Sequence, residues 1–343
     1  MNHLADWIKR HQVTAFFVIT FVITWGLGFS YDAVINKGAD LLAPLVFIAT
    51  CGPALAGIIV STICNDHPRQ GKKRTTWLAY IIAWVISAFV CLANLTFINH
   101  SPFSPVLVAF IFVAVVPVAF VISMAYSRIP AVKSYLASLV QPRGVWGWIL
   151  VGSALFPGIF LLTTAISSLL GLAPVSAFRL PGSGLTLIGL IGVTFLYQLF
   201  FFNATGEETG WRGFALPRLQ ARTNPLTAAL IIGFFWASWH FFLWQAEGRP
   251  VFDWQFWAEM YVAHMLGSLI IVWVCNRAGG SILVAGVTHA AANTVQAFIP
   301  MPDGRVLLSI CLVTALALIL VDRMWKKLPS DHPAVYQVSA LDG

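Results

Sequence analysis

A chain of 343 residues that is 59% hydrophobic and only 10% charged lies far outside the range of soluble domains, in which about a quarter of residues are charged. The bilayer is therefore its solvent, and the formal charge of +7 calls for a membrane explanation before a nucleic-acid one. Cys51, Cys64, Cys91, Cys275 and Cys311 fall in or at the ends of apolar runs with no CxxC pair, so they read as small hydrophobes and not as a disulfide framework or a metal site.

Crossing a hydrocarbon core takes about 20 helical residues. Apolar runs of that kind recur at about 14–35, 41–63, 76–97, 105–126, 145–171, 187–216, 225–245, 256–275, 281–299 and 305–322. They predict an all-α, polytopic protein of about ten transmembrane helices. Lys9 and Arg10 precede the first run, but it is longer than a signal-peptide core and ends in Tyr31-Asp32, so it reads as a retained helix.

With the N-terminus inside, one side of this arrangement receives Lys9, Arg10, Arg69, Lys72, Lys73, Arg74, Arg128, Lys133, Arg143, Arg212, Arg218, Arg222, Arg277, Arg323, Lys326 and Lys327. The other side receives only Lys37, Arg179, Arg249 and Arg305. The positive-inside rule accounts for that asymmetry without a nucleic-acid partner. It predicts two cytoplasmic termini and a multi-pass protein of the plasma (inner) membrane.

The loops 65–75 and 127–144 divide the chain into an N-terminal four-helix block (1–143), a C-terminal six-helix block (144–327) and a short polar tail (328–343). The second loop reads as a short basic helix at the inner surface. Membrane-depth residues of the first block are almost all apolar, and the polar residues that need explaining lie in the second.

There, LYQLFFFNATGEETGWRGFALPRLQ places two carboxylates and an arginine where hydropathy says membrane, at a few kcal/mol each. Glu208 and Arg212 are one turn apart and can pair. Glu207 points elsewhere, with Trp211 four positions on, which leaves it as the carboxylate available as a base. Pro217 is expected to end this helix. At ~1.5 Å per residue, Glu207 lies about 15 Å below the basic surface, His240 about 22 Å and His289 about 14 Å. Three helices thus bring polar groups into one slab about 10 Å thick at mid-membrane. Asn293 is one turn from His289, among small residues (Gly286, Ala290, Ala291, Ala292) that allow close helix packing.

Glu207-Glu208 with Arg212, an aromatic run ending in His240, and His289 with Asn293 together resemble the three-motif signature of the CPBP family of intramembrane proteases. That family includes the CAAX prenyl protease 2 type and the bacteriocin-processing, Abi-like members. The resemblance covers about 190–300, including the Gly-Phe-Ala-Leu-Pro that follows Arg212. It departs at Trp236, where the family usually carries Phe four residues before its histidine. The first ~180 residues match no motif, and the third and fourth helices look like an addition.

The resemblance implies intramembrane peptide-bond hydrolysis, with Glu207 and His240 activating water, His289 and Asn293 stabilising the oxyanion, and Glu208 and Arg212 in support. A zinc mechanism, with Glu207, His240 and His289 as ligands and one open position for water, and a metal-free one both fit the residues. The expected substrate is a membrane-associated or lipidated protein or peptide, reached from the cytoplasmic side or from within the bilayer. A different class stays open: a proton- or ion-coupled transporter, or a non-proteolytic bacteriocin-immunity or scaffold factor. His264 matches no motif and reads as a packing hydrogen-bond donor. Asn203 and Thr205 read either as orienting Glu207 or as satisfying backbone.

Overall fold

The computed structural model describes residues 3–172, 183–299 and 303–336; Arg179 and the last seven residues of the polar tail lie outside them. Among the described residues the chain is helical throughout, with no strand. Helices α1 (His3–Arg10), α2 (Gln12–Gly26) and α3 (Phe29–Lys37) open the chain, and α2 and α3 together form one span. Gly28 marks the break between them, because a Cβ there would lie 2.4 Å from the Phe242 ring.

The second run is not one straight helix: α4 (Ala43–Thr50) and α5 (Gly52–Ile63) meet at 59°. Pro53 in the first turn of α5 needs no hydrogen-bond acceptor there and breaks the continuity with α4. Next come α6 (Lys73–Phe97), the pair α7 (Pro105–Ala114) and α8 (Val116–Met124), which make one span, and α9 (Pro130–Leu136). This last is the short basic helix expected at the surface. It is anchored more deeply than expected, with Val132 and Leu136 fully buried and the Tyr135 hydroxyl donating to the Thr209 carbonyl at 2.8 Å.

Helix α10 (Trp146–Leu169) leads to α11 (Gly184–Gln198), which continues through π-helical turns at Leu199–Glu208 and Trp211–Ala215 into α12 (Leu216–Arg222). The whole Gly184–Arg222 segment is one 39-residue span, so Pro217 does not end the helix. The π turn has the Leu216 amide donating to the Trp211 carbonyl, and Pro217 falls in the first turn of α12, where its missing N–H is tolerated. Helices α13 (Pro225–Trp239), α14 (Phe241–Ala246), α15 (Trp254–Arg277), α16 (Ile282–Phe298) and α17 (Gly304–Asp322) complete the chain. Asn224, Asp253, Ser281 and Asp303 accept backbone amides at the starts of α13, α15, α16 and α17, satisfying donors that otherwise have no partner.

The ten runs thus become eight long apolar helices, the bent α4–α5 pair, and α16. With 17 residues, α16 is shorter than a typical span. It is largely enclosed, with Val284, Ala285, Ala290 and their neighbours buried against α10 and the π segment. The small residues work as expected: a Cβ on Gly286 would sit 2.5 Å from that of Ala204. Both described ends lie on one face. Arg218 Nε donates to Gln12 Oε1 at 2.8 Å, Lys9 pairs with Asp66 at 2.6 Å, and the Tyr336 amide donates to the Pro217 carbonyl at 3.0 Å.

Candidate active site

The site starts from an unusual backbone. In the π turns the Thr209 amide donates to the Ala204 carbonyl, five residues back, which is the π register, and the hydroxyls of Thr205 and Thr209 donate to the carbonyls of Phe200 and Ala204. The widened coil is pressed against the α4–α5 bend. A Cβ on Gly206 would come within 2.9 Å of the Thr50 carbonyl oxygen, and one on Gly210 within 2.4 Å of Pro53. π turns recur at functional sites, and this one carries both glutamates.

The two carboxylates face different partners. Glu208 Oε1 accepts from Arg212 Nη1 at 2.9 Å and from His289 Nδ1 at 2.8 Å, and the Glu208 and Arg212 side chains are completely shielded. Glu207, also buried, accepts at Oε2 from Trp236 Nε1 at 2.5 Å. The Trp236 ring is the hub of the site: its centroid lies 5.0 Å from the Arg212 guanidinium carbon and 5.0 Å from the His289 ring centroid.

His240 caps α13, with Nδ1 2.9 Å from the Trp236 carbonyl. A carbonyl only accepts, so Nδ1 carries the proton and Nε2 offers its lone pair. The ring stacks on Trp244 at 4.9 Å. Asn293 stands slightly apart, its amide 3.4 Å from Asn203 Oδ1 and 3.5 Å from Gln198 Oε1; these contacts are longer than normal hydrogen bonds and hold it loosely. Asn203 is therefore coupled to Asn293, while Thr205 serves the backbone.

Glu207 and His240 line one cavity of about 220 Å³, walled by Tyr31, Val34 and Ile35 of α3 and Leu243 of α14. A larger cavity of about 580 Å³ lies at the basic face and ends on Arg212 and Gly213, without Glu207, His240 or His289. Within the described residues, Glu208 Oε2, Arg212 Nε and Nη2, and Asn203 Nδ2 are buried with no protein hydrogen-bond partner. Buried polar atoms are ordinarily satisfied, which makes this layer suited to hold water.

Two residues of the site escape a motif reading. Trp236 stands where the resemblance leads one to expect Phe, and only the packing of α13 against the π segment shows that its extra N–H reaches Glu207. His264 of α15 is the second. Its ring centroid is 5.2 Å from that of His240 and 4.7 Å from that of Trp236, and its Nδ1 is 2.8 Å from the Met260 carbonyl. That leaves its Nε2 lone pair beside the site, in the same tautomer as His240. The available signal was a histidine on a neighbouring span at membrane depth. Ser268, on the same helix, is buried and donates to the Ala229 carbonyl at 2.8 Å.

Trp236→Phe keeps the aromatic wall and removes the donor to Glu207. A hydrogen bond to a charged group contributes about 1.5–3 kcal/mol, so turnover is expected to fall by about tenfold or more with little change in thermal midpoint. Unchanged turnover by the purified variant would remove Trp236 from the catalytic arrangement.

The zinc reading asks Glu207, His240 and His289 to converge. Among the described residues, no three His, Cys, Asp or Glu side chains are placed to hold a metal ion. Glu207 Oε2 is engaged by Trp236 and His289 Nδ1 by Glu208. As placed, this donor set does not fit a metal ion.

Residues 188–295 match the family model described as type II CAAX prenyl endopeptidase Rce1-like. Over 176 residues the chain is 28% identical to CAAX prenyl protease 2 of Methanococcus maripaludis, an alignment covering 49% of this chain and 64% of the relative. The chain thus spans less than two thirds of that relative's length. The matched span runs from α11 to α16 and includes every residue of the buried polar cluster, so the similarity to the Rce1-like family model covers the whole site.

Proposed function

We propose that the chain is an intramembrane endopeptidase that hydrolyses a peptide bond with a water molecule activated by Glu207. The observation that carries this reading is the single cavity lined by both Glu207 and His240. Water has two hydrogens, and the cavity offers two acceptors: the Glu207 carboxylate and His240 Nε2. Held by both, the water presents its lone pairs to a carbonyl carbon.

As the oxygen attacks, one proton passes to Glu207 and the C=O electron pair moves onto the carbonyl oxygen. When that pair returns, the C–N bond breaks with its electrons on nitrogen. Glu207 delivers its proton to the leaving amine, and the second water proton stays on the new carboxyl group, so a carboxylic acid and an amine leave. General base catalysis of this kind contributes roughly 10²–10⁴-fold.

The oxyanion needs donors. His289 already uses its Nδ1 proton toward Glu208, so a second donor at Nε2 requires the imidazolium form. The loosely held Asn293 amide is free to turn toward the same oxygen. Such donors usually supply the largest catalytic contribution.

The occupant is a membrane-associated protein or peptide, and the positive-inside asymmetry supports placement in the plasma (inner) membrane. Cleavage is expected to survive EDTA and 1,10-phenanthroline, because among the described residues no three metal-ligating side chains converge. Loss of activity restored by zinc alone would overturn the metal-free mechanism. The peptidase reading is tested by quantifying membrane-peptide termini in cells carrying wild type or Glu207→Gln. A set of termini that disappears with the variant supports the reading, and identical termini refute it.

A further inference from the structure

Helix α15 brings a third imidazole to the site. His264 Nδ1 lies 2.8 Å from the Met260 carbonyl, just as His240 Nδ1 lies 2.9 Å from that of Trp236. Each ring is pinned to the carbonyl one turn before it on its own helix. A carbonyl only accepts, so each Nδ1 carries the proton and each Nε2 bears a lone pair. The ring centroids are 5.2 Å apart. Two lone pairs cannot bond to each other, so His264 does not orient His240 through a hydrogen bond.

Packing holds His264 firmly in place. Its ring meets two indoles edge to face, that of Trp236 at 4.7 Å and that of Trp244 at 5.2 Å, and Trp236 is the donor to Glu207. Helix α15 lies directly against the backbone of α13 at this level: a Cβ on Gly233 would come within 2.7 Å of the Met265 Cα and 2.9 Å of the His264 carbonyl oxygen. Among the described residues neither Nε2 has a protein donor, yet neither belongs to the enclosed partnerless atoms such as Arg212 Nε and Asn203 Nδ2. Both histidines are half-buried. Their lone pairs therefore open onto space that another molecule can enter.

The chemistry of the site says which donor fits. The attacking water uses its two hydrogens on Glu207 and His240. The other donor that a peptide carries to this point is a backbone N–H, which is costly to leave unpaired away from water. Neighbouring side chains do not accept it: His289 Nδ1 and Arg212 Nη1 donate to Glu208, and Trp236 Nε1 donates to Glu207. His264 Nε2 is an acceptor without a partner in this group.

We infer that His264 is a substrate-binding residue whose Nε2 accepts a backbone N–H of the bound peptide beside the scissile bond. This rests on the peptidase reading. The substrate class it selects is a peptide unwound at that point, since a helical N–H is already bonded within its own segment. Proline or an N-methylated residue at the bonded position is selected against.

The test uses a synthetic peptide spanning a cleavage site lost in Glu207→Gln cells, and the same peptide N-methylated in turn at each residue flanking the scissile bond. Affinity is measured with full-length protein in detergent on the Glu207→Gln background, and KM and kcat with Glu207 intact. His264→Phe keeps a ring between Trp236 and Trp244 and removes the acceptor. It is expected to weaken binding and raise KM about tenfold, the effect of leaving one peptide N–H unpaired, with kcat and thermal midpoint little changed. His264→Gln, whose amide oxygen accepts, is expected to stay within about threefold of wild type. One N-methylated peptide is expected to bind the His264-containing protein about tenfold more weakly and to lose nothing further in His264→Phe. Affinity within twofold of the parent in His264→Phe, or a loss in kcat with KM unchanged, overturns the inference. So does an N-methylated series in which no peptide binds the His264-containing protein more than twofold more weakly, a result that needs no His264 variant to fold. These outcomes leave the peptidase reading standing, whereas termini unchanged by Glu207→Gln overturn that reading and this inference together.

Discussion

Glu207→Gln is expected to lower turnover by about 10²–10⁴-fold, the range a positioned general base supplies, while leaving the fold intact. Glutamine keeps the volume of glutamate, and its amide oxygen can accept the Trp236 N–H that Glu207 Oε2 accepts now. It cannot take a proton from water. Only the reaction should suffer, so turnover and thermal midpoint of the purified variant are measured together. Glu208→Gln is the informative neighbour, because Glu208 Oε1 joins Arg212 and His289; it is expected to lose both activity and stability. If Glu207→Gln retains more than about a tenth of wild-type turnover, the loss is below what removing a general base produces, and the base lies elsewhere.

Arg212→Met is expected to act in the opposite way, chiefly on stability. The guanidinium is completely shielded and supplies the cation of a buried pair. Removing one partner of such a pair costs about 3–5 kcal/mol, because the other charge remains buried and unpaired. The double variant Glu208→Gln with Arg212→Met is expected to recover most of that loss, since replacing both charges removes the desolvation penalty. Denaturant titration in detergent of the two single variants and the double variant closes the cycle. Strong coupling is expected for groups in direct contact, whereas additivity within about 0.5 kcal/mol would mean that the two side chains act independently.

Much of this site was legible before any packing was known. The adjacent glutamates at membrane depth, an arginine one turn on, and histidines on two later helices are each anomalous in a bilayer. Their shared level followed from helical rise alone. Hydropathy also located the spans, and the distribution of Lys and Arg gave the two faces. These signals are local: each depends on a residue's own chemistry or on neighbours within a turn.

Packing decided what local signals cannot. Continuation of the helix past Pro217 depends on the π register at Trp211–Ala215, and the preceding π turn lies against the α4–α5 bend. The Trp236–Glu207 bond joins residues 29 apart, and His264 enters the site because α15 packs beside α13. Periodicity within a helix says nothing about which neighbour it will meet.

The sequence by itself determined that this is a multi-span membrane protein with a charged centre in its C-terminal half, because transfer energies and one-turn spacings act residue by residue. Only the tertiary structure decided that Glu207 shares a cavity with His240, whereas the pairing of Glu208 with Arg212 was already legible in their one-turn spacing. It also decided that Trp236 donates to Glu207, because both outcomes depend on how distant helices meet.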